Sequence, residues 1–359
     1  MPTIAIQATD TLFFRDGRPF SMGDDTFAET MFPPPPSVIY GALRSSNLAN
    51  SLNSGSSLSQ QLIENTGNLA IQGIALKHNG EVLFPMPADL VVDKKKTKGK
   101  HLISSQLVTT NAPEYSSYAF KKMLRSDVDK VKEGVHLIAD YALGEYLNGI
   151  KPNSIAISLS DITTSEAKIG IGRNDASRTT DDGLMYRVNM IRPATFKKNK
   201  MLPTEILVAH AGLDLSKSTW LALGGERRSA TLTAVSDFPN FEAPKQNGTG
   251  VFKLYLSTMA VFCDGWQPKK LFDALGLTVI AAAINRSQPI GGWDIKRKQP
   301  KPMLHTVAAG SVYYLQPSRD NWLEIVEKMH GKAISDIVQA DSDYAKQGFG
   351  IAYLSAYTA

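Results

Sequence analysis

An α+β fold is what this sequence predicts, and three observations carry it. A strand-period run at the N-terminus leads, through a long loop, into an amphipathic helix. Asn79-Gly80 sits between two apolar runs, the strongest short-range signal for a hairpin. The second half then sets out strands and helices in the order βαββαβ.

Taken in order, Ile4, Ile6 and Ala8 alternate with Thr3, Ala5 and Gln7, as in a half-buried strand. The connection that follows breaks at Asp16-Gly17 and ends in four prolines, Pro33 to Pro36. Strand-to-helix connections usually take a handful of residues, so one this long reads as a working loop, and it carries Arg15 and Arg18. Ser37 is placed to cap a helix over residues 37–49. That helix has Val38, Ile39, Ala42 and Leu43 on one face and Tyr40, Arg44 and Asn47 on the other.

Strands over 69–76 and 81–84 then meet at the Asn-Gly turn, so that strand, helix, strand, strand opens a first unit. An insertion at 93–101 holds five lysines against one aspartate. It reads as a solvated loop first and as a phosphate-contacting arm second. Helical patterns follow at 120–131 and 135–147. Residues 167–193 form the clearest hairpin, with a polar tip at 173–183 that carries Arg173 and Arg178. Taken alone, the tip reads as a solvated loop in which Asp181 and Asp182 partly offset the arginines. A protruding basic hairpin would also suit insertion into a groove or between nucleotides. An apolar strand over 204–211 closes this half.

In the second half a strand over 251–262 is followed by a short helix at 268–275 and a strand at 277–284. A basic loop leads to a strand over 303–315. The helix at 321–330 shows Trp322, Ile325, Val326 and Met329 at i, i+3, i+4 and i+7, and a last strand covers 349–353. Two ferredoxin-like (RRM-type) domains in tandem, residues 1–215 and 216–359, with inserted loops and a protruding β-hairpin, are therefore expected.

Composition excludes more than it selects. Hydrophobic residues at 43% and charged residues at 20% describe an ordinary globular chain of 359 residues. Thirty-nine basic against 34 acidic side chains leave +5, which permits an anionic partner without requiring one. Cys263 is the single cysteine, so neither an intrachain disulfide nor a cysteine metal site is expected. The N-terminus lacks the basic and apolar regions of a secretory signal, and no apolar run reaches the roughly 18 residues of a membrane span. The reading is a cytoplasmic protein without a membrane partner.

Catalytic signatures fall short. The run 22–25, Met-Gly-Asp-Asp, resembles a metal-binding palm tip, but the flanking prolines suit an irregular turn. Gly170-Ile-Gly172 lacks the rest of a dinucleotide loop, and 224–229 lacks the end of a phosphate loop. The six histidines have no metal-ligand spacing. His136 or His305 could act as general base in a metal-independent endoribonuclease, the rival reading. Glycine-arginine loops fit binding better, since glycine lets backbone N–H groups approach a phosphate and arginine forks onto its oxygens. These loops hold Gly224, Gly225, Arg227 and Arg228; Gly348 and Gly350; and, over 286–301, Arg286, Lys296, Arg297 and Lys298 with Trp293 as a stacking aromatic.

The runs LFFRDGRPF at 12–20, FPPPPSVIYGALRS at 32–45, LGGERRS at 223–229, GSVYYL at 310–315 and GFG at 348–350 stand in order along the chain. Together they resemble the RAMP (repeat-associated protein) family of CRISPR effector subunits, and within it the third subunits of type III-B Cmr complexes. The resemblance implies the same two RAMP-type domains and a non-catalytic subunit without cofactor or metal. It implies a protein that grips the 5′ tag of the CRISPR RNA beside the large palm-domain subunit and the backbone RAMP subunit. Arg15, Arg18, Arg44 and the 224–228 and 348–350 loops would then contact tag or subunits, and the 173–183 tip would meet the guide–target RNA duplex. The lysine insertion at 94–100 departs from a simple RAMP.

Overall fold

The computed structural model describes residues 1–15, 27–53, 64–94, 102–104, 106–109, 122–126, 128, 130–152, 154–173, 176–245, 250–294, 298–339 and 342–357. Its main elements begin with β1 (Thr3–Ala8), α1 (Pro36–Asn53), β2 (Ala70–His78), β3 (Glu81–Pro85), β4 (His136–Ala139), α2 (Asp140–Leu147) and β5 (Ile157–Ser158). The hairpin strands β6 (Thr164–Arg173) and β7 (Thr180–Arg192) follow, then β8 (Ala194–Lys197), β9 (Lys200–Ala211), β10 (Trp220–Leu223) and β11 (Arg228–Val235). The second half contributes β12 (Phe252–Leu256), α3 (Lys269–Ala274), β13 (Leu277–Ala283), β14 (Val312–Pro317), α4 (Trp322–Met329), β15 (Lys332–Ala333) and β16 (Ile351–Ala356).

Two larger antiparallel sheets hold most of these elements, and the hairpin β6–β7 forms a third sheet with Phe27–Ala28. The first runs β5-β4-β3-β2-β9-β1-β11-β10, with β8 added on β9. The second runs β13-β14-β12-β16-β15. The strand-and-helix order expected for the second half is present, but the strand expected over 251–262 is confined to 252–256, and that over 303–315 is broken into Leu304–His305, which pairs with Pro289–Ile290, and β14 at 312–317.

The first half has a strand order that no local pattern marks, and two of its expected helices change. The strand next to β2 on the β1 side is β9, paired through Ile206 with Leu76 and Val208 with Ile74, while β3 lies on the far side of β2. Local turn chemistry makes the β2–β3 hairpin, but the almost continuously buried run Ile206–His210 is what fits the sheet centre. The helical pattern at 120–131 is instead a strand, Lys122–Arg125, paired with Gln106–Thr109. The helix expected over 135–147 starts only at Asp140; residues 136–139 are all buried and pair with β3 as β4. Sheet pairing overrides a helical period when an open edge is available to a short apolar run.

Smaller differences follow the same logic. Thr3, Ile4, Ala5 and Ile6 are all buried, because β1 is central and covered on both faces, so the alternation is not a half-exposed strand. Helix α1 begins at Pro36 rather than after a Ser37 cap, with proline in the first turn where its missing N–H costs nothing. The expected division after residue 215 does not follow the pairing, since β10 and β11 lie on the first sheet beside β1.

The second sheet alternates along β12, β14 and β16, while β13 carries a bulge between Val279 and Ala281. Phe252, Leu254, Tyr313, Leu315 and Leu354 face α3 and α4, packing with Phe272, Ile325 and Met329. Tyr255, Val312, Tyr314, Ile351 and Tyr353 face the other way and join the core of the first half. Lys253 shares that inward face, an ammonium only 10% exposed at its side chain, 3.3 Å from Asp89 Oδ2. The Asp89 carboxylate also accepts from Tyr146 Oη at 2.9 Å and from Tyr314 Oη at 2.7 Å. Lys253 Nζ lies 3.7 Å from the centre of the Tyr146 ring. Burial pulls the Lys253 amine below its ordinary value while Asp89 opposes that pull, and burial followed by Asp89 drives the Tyr146 phenol well above its own.

Removing one member of such a pair strands a buried charge, at about 3–5 kcal/mol. Asp89→Asn, which keeps an acceptor for the tyrosines, should lower the urea midpoint by that order, and adding Lys253→Met should recover most of the loss. An unchanged midpoint for the single variant would show that the pair does not hold the halves together.

Candidate nucleic-acid interface

The first strand leaves its sheet at Asp10 and enters a narrow place. Leu12 and Ile191 exchange backbone hydrogen bonds at 2.7 and 2.9 Å, tying the chain to the foot of the hairpin. Met31 N–H donates to the Phe14 carbonyl at 2.9 Å, and Arg15 is bridged to Thr30. From the other side comes the 224–227 turn: Gly225 N–H donates to the Phe13 carbonyl at 2.8 Å. A Cβ on Gly224 would stand 2.5 Å from that carbonyl oxygen, and its φ of +75° belongs to the left-handed region. Glycine is needed here for close approach. Arg227, two residues past Gly225 and itself at φ +49°, and Arg15, two residues past Phe13, are both exposed.

An ionic chain braces this place. Lys168 on β6 pairs with Glu226 at 2.7 Å, and Glu226 with Arg228 at 3.0 Å. Arg228 reaches Asp10 at 3.2 Å, Asp10 reaches Arg192 at 2.9 Å, and Arg192 closes on Glu166. The Thr11 N–H, and then Arg192, hold the Asp10 carboxyl below its ordinary value; Lys168, and then Arg228, do the same for Glu226. Arg228 is therefore spent on internal carboxylates, whereas Arg227 points outward.

The other expected site residues separate into groups. Arg44 hydrogen-bonds Thr66 Oγ1 through Nε and Nη2 at 3.3 and 3.2 Å and lies 5.5 Å from the Tyr40 ring, so it fastens α1 to the segment before β2. Gly348 and Gly350 are buried, and their N–H groups are used by the Ala345 and Met259 carbonyls. Ile71 and Ser335 would meet any Cβ there, so this loop is a crossing of backbones rather than an open phosphate cradle. Arg178 is exposed on the hairpin tip, and Arg173 ends β6. Arg18, Lys296 and Arg297 lie outside the described residues.

The basic loop expected over 286–301 folds in part as a β ribbon. Pro289–Ile290 pairs with Leu304–His305, and Trp293–Asp294 with Gln299–Pro300. Lys298 is exposed at φ +52°. Arg286 stands at the rim of a cleft of about 480 Å³ between the two halves, whose walls include Phe32, Pro34, Met86 and Met259. His136 also borders it, but is buried with Nε2 on the Lys132 carbonyl at 3.2 Å and Nδ1 facing Ser158 Oγ at 3.4 Å. His305 is exposed on the ribbon. Among the described residues no cluster of three metal-ligating side chains occurs, and no helix is long and apolar enough to cross a membrane.

Sequence reasoning missed the ionic chain, the Asp89–Lys253 pair and the cleft. Their members lie far apart in the chain, as Asp10 and Arg228 do at a separation of 218, and no local pattern marks them. The one available signal was the charge alternation of Glu166 and Lys168 on an exposed strand.

A family model described as CRISPR-associated protein (Cas_Cmr3) matches residues 4–356. No curated protein matches the chain. Among solved structures, the chain is similar to one in the Type III-B Cmr-beta complex bound to cognate target RNA and AMPPnP. There the identity is 19% and the TM-score 0.51, over 87% of this chain and 86% of that one. A second, in Cmr-beta bound to cognate target RNA, gives 19% identity and a TM-score of 0.50, over 90% and 88% of the two chains.

Two outcomes follow from the glycine turn and the ionic chain. Gly224→Ala should destabilise the turn by roughly 1–3 kcal/mol through its clash and its backbone conformation, read as a lowered unfolding midpoint. Asp10 and Glu226 have depressed values, so the stability they contribute is present above the ordinary carboxylate range and is lost as pH falls through and below it, under about pH 4. Protection of the Leu12 and Ile191 amides, corrected for intrinsic exchange, should fall in that window. Asp10→Asn should show the loss already at neutral pH.

Proposed function

The chain belongs to the Cas_Cmr3 family of CRISPR-associated proteins and is a RAMP subunit of the Cmr type, and from that premise we propose that it is a non-catalytic, RNA-binding subunit of a type III-B effector complex in antiviral defence. It holds the repeat-derived 5′ tag of the CRISPR RNA and bridges the large palm-domain subunit to the backbone subunits, in the cytoplasm. The observation that carries this reading is the glycine turn seated on Phe13 and Phe14 near the foot of the hairpin, with Arg15 and Arg227, each two residues from that contact, both exposed. Arginine forks there suit phosphate oxygens. The hairpin tip, with Arg173 and Arg178, extends from the same place toward target RNA, and Arg286, Trp293 and Lys298 form a secondary basic arm.

Each half reads as one ferredoxin-like unit. Both have their four principal strands in the order second-third-first-fourth: β2-β9-β1-β11 and β13-β14-β12-β16. The division then falls between residues 235 and 252, with the hairpin and the 93–131 region inserted in the first unit. Two relatives of this fold sit in complexes with cognate target RNA, which supports a ligand of that class.

The endoribonuclease alternative has less support, since both ring nitrogens of His136 face internal partners. Incubation of the purified chain with repeat RNA in EDTA should leave the RNA intact; cleavage lost in His305→Ala would favour the enzyme. Tag-RNA affinity should fall steeply as salt rises, because phosphate contacts release counterions. Charge reversal of Arg15 and Arg227 together should flatten that salt dependence and weaken binding, while Arg44→Ala should act on stability. Equal binding by the double reversal would remove the tag role from these arginines.

A further inference from the structure

The hairpin β8–β9 is a second, separate surface feature. Its ladder pairs Ala194 with Pro203, Thr195 with Leu202, Phe196 with Met201 and Lys197 with Lys200. The last pair between β9 and β2 is Thr204 with His78, so four residues of β9 run on past it, about 13 Å at strand rise. Lys198 and Asn199 close the tip at φ +49° and +60°, the pattern of a type I′ turn.

What this arm presents is unlike an ordinary solvated turn. Phe196 is 65% exposed and Met201, directly opposite, 47%, so a flat apolar pair faces solvent with no core behind it. Lys197 and Lys200, the next pair on the ladder, project from its opposite face, and Lys198 sits in the turn; all three are exposed, and among the described residues none forms an ion pair. No acidic side chain stands on the ladder. At its root Glu205 is engaged by Lys77 at 3.8 Å and Asp161 by the Ser158 N–H at 3.1 Å. A lysine also occupies a left-handed position that glycine or asparagine would fill more easily.

The geometry points to a single-stranded RNA contact at this arm: one base stacks on Phe196 on the apolar face, with Met201 packed against the base edge, while the strand turns over the tip so that its phosphates meet Lys198 there and Lys197 and Lys200 on the opposite face. An aromatic side chain among unpaired cations is the composition that binds an unpaired strand without reading its sequence. This contact does not depend on the tag contact proposed at Arg15 and Arg227, because it uses none of the same residues. It would engage RNA that has already left those arginines.

Ultraviolet crosslinking of the full chain to an oligouridine 12-mer, followed by peptide mapping, tests it. The expected result is a nucleotide adduct on the peptide bearing Phe196. Phe196→Ala should weaken oligouridine binding about ten-fold, while Phe196→Trp should retain it. The Lys197→Gln, Lys198→Gln, Lys200→Gln variant should reduce the slope of log affinity against log salt by about 2, from about 0.7 per contact on a single strand. The adduct should persist in the Arg15 and Arg227 double reversal, which separates failure of the tag reading from failure of this one. Absence of the adduct, or an unchanged salt slope in the lysine variant, would overturn the proposal. So would normal RNA binding by that variant combined with loss of assembly onto the other Cmr subunits, which would make the arm a protein contact.

Discussion

A buried carboxylate joins the two halves of this protein. Asp89 stands on the first half and receives Lys253 and Tyr314 from the second, with Tyr146 completing the set. The apolar face of the second sheet would pack against the first half in several nearby registers, because hydrophobic contact is not directional. A buried ion pair with two phenol donors tolerates only one. The relative placement of the halves therefore rests on a polar interaction inside an apolar interface, and the cleft between them is shaped by that placement.

The same division of labour appears at the site proposed to meet RNA. Carboxylates of Asp10, Glu166 and Glu226 consume Lys168, Arg192 and Arg228, and in doing so they fix the hairpin foot, the strand exit and the glycine turn against one another. Exposed pairs of this kind contribute little stability individually. Their value is orientation: three segments remote in sequence are held against one another. An exposed and a bracing arginine stand side by side in the sequence at 227 and 228, and only the fold distinguishes them.

Glycine shows a similar split. Gly224 and Gly350 both hold positive φ, and both would clash if given a Cβ. One lies on an exposed turn against Phe13, the other inside a backbone crossing where its N–H is already bonded to Met259. A glycine-rich run therefore announces close approach without saying whether a ligand or the chain itself approaches.

The sequence by itself determined the helices and the main strand order of the second half, the Asn79-Gly80 hairpin, the long hairpin over 164–192 and the family. Each of these is written in short-range periodicity, turn chemistry or contiguous motifs, and such signals need no knowledge of partners. The central position of β9, the strand character of 136–139, and the separate fates of Arg227, Arg228, Gly224 and Gly348 were decided by tertiary structure. A strand becomes central when neighbours cover both of its edges, and a charge becomes a brace when a distant carboxylate reaches it. Both depend on contacts across many tens to hundreds of residues, which local sequence does not encode.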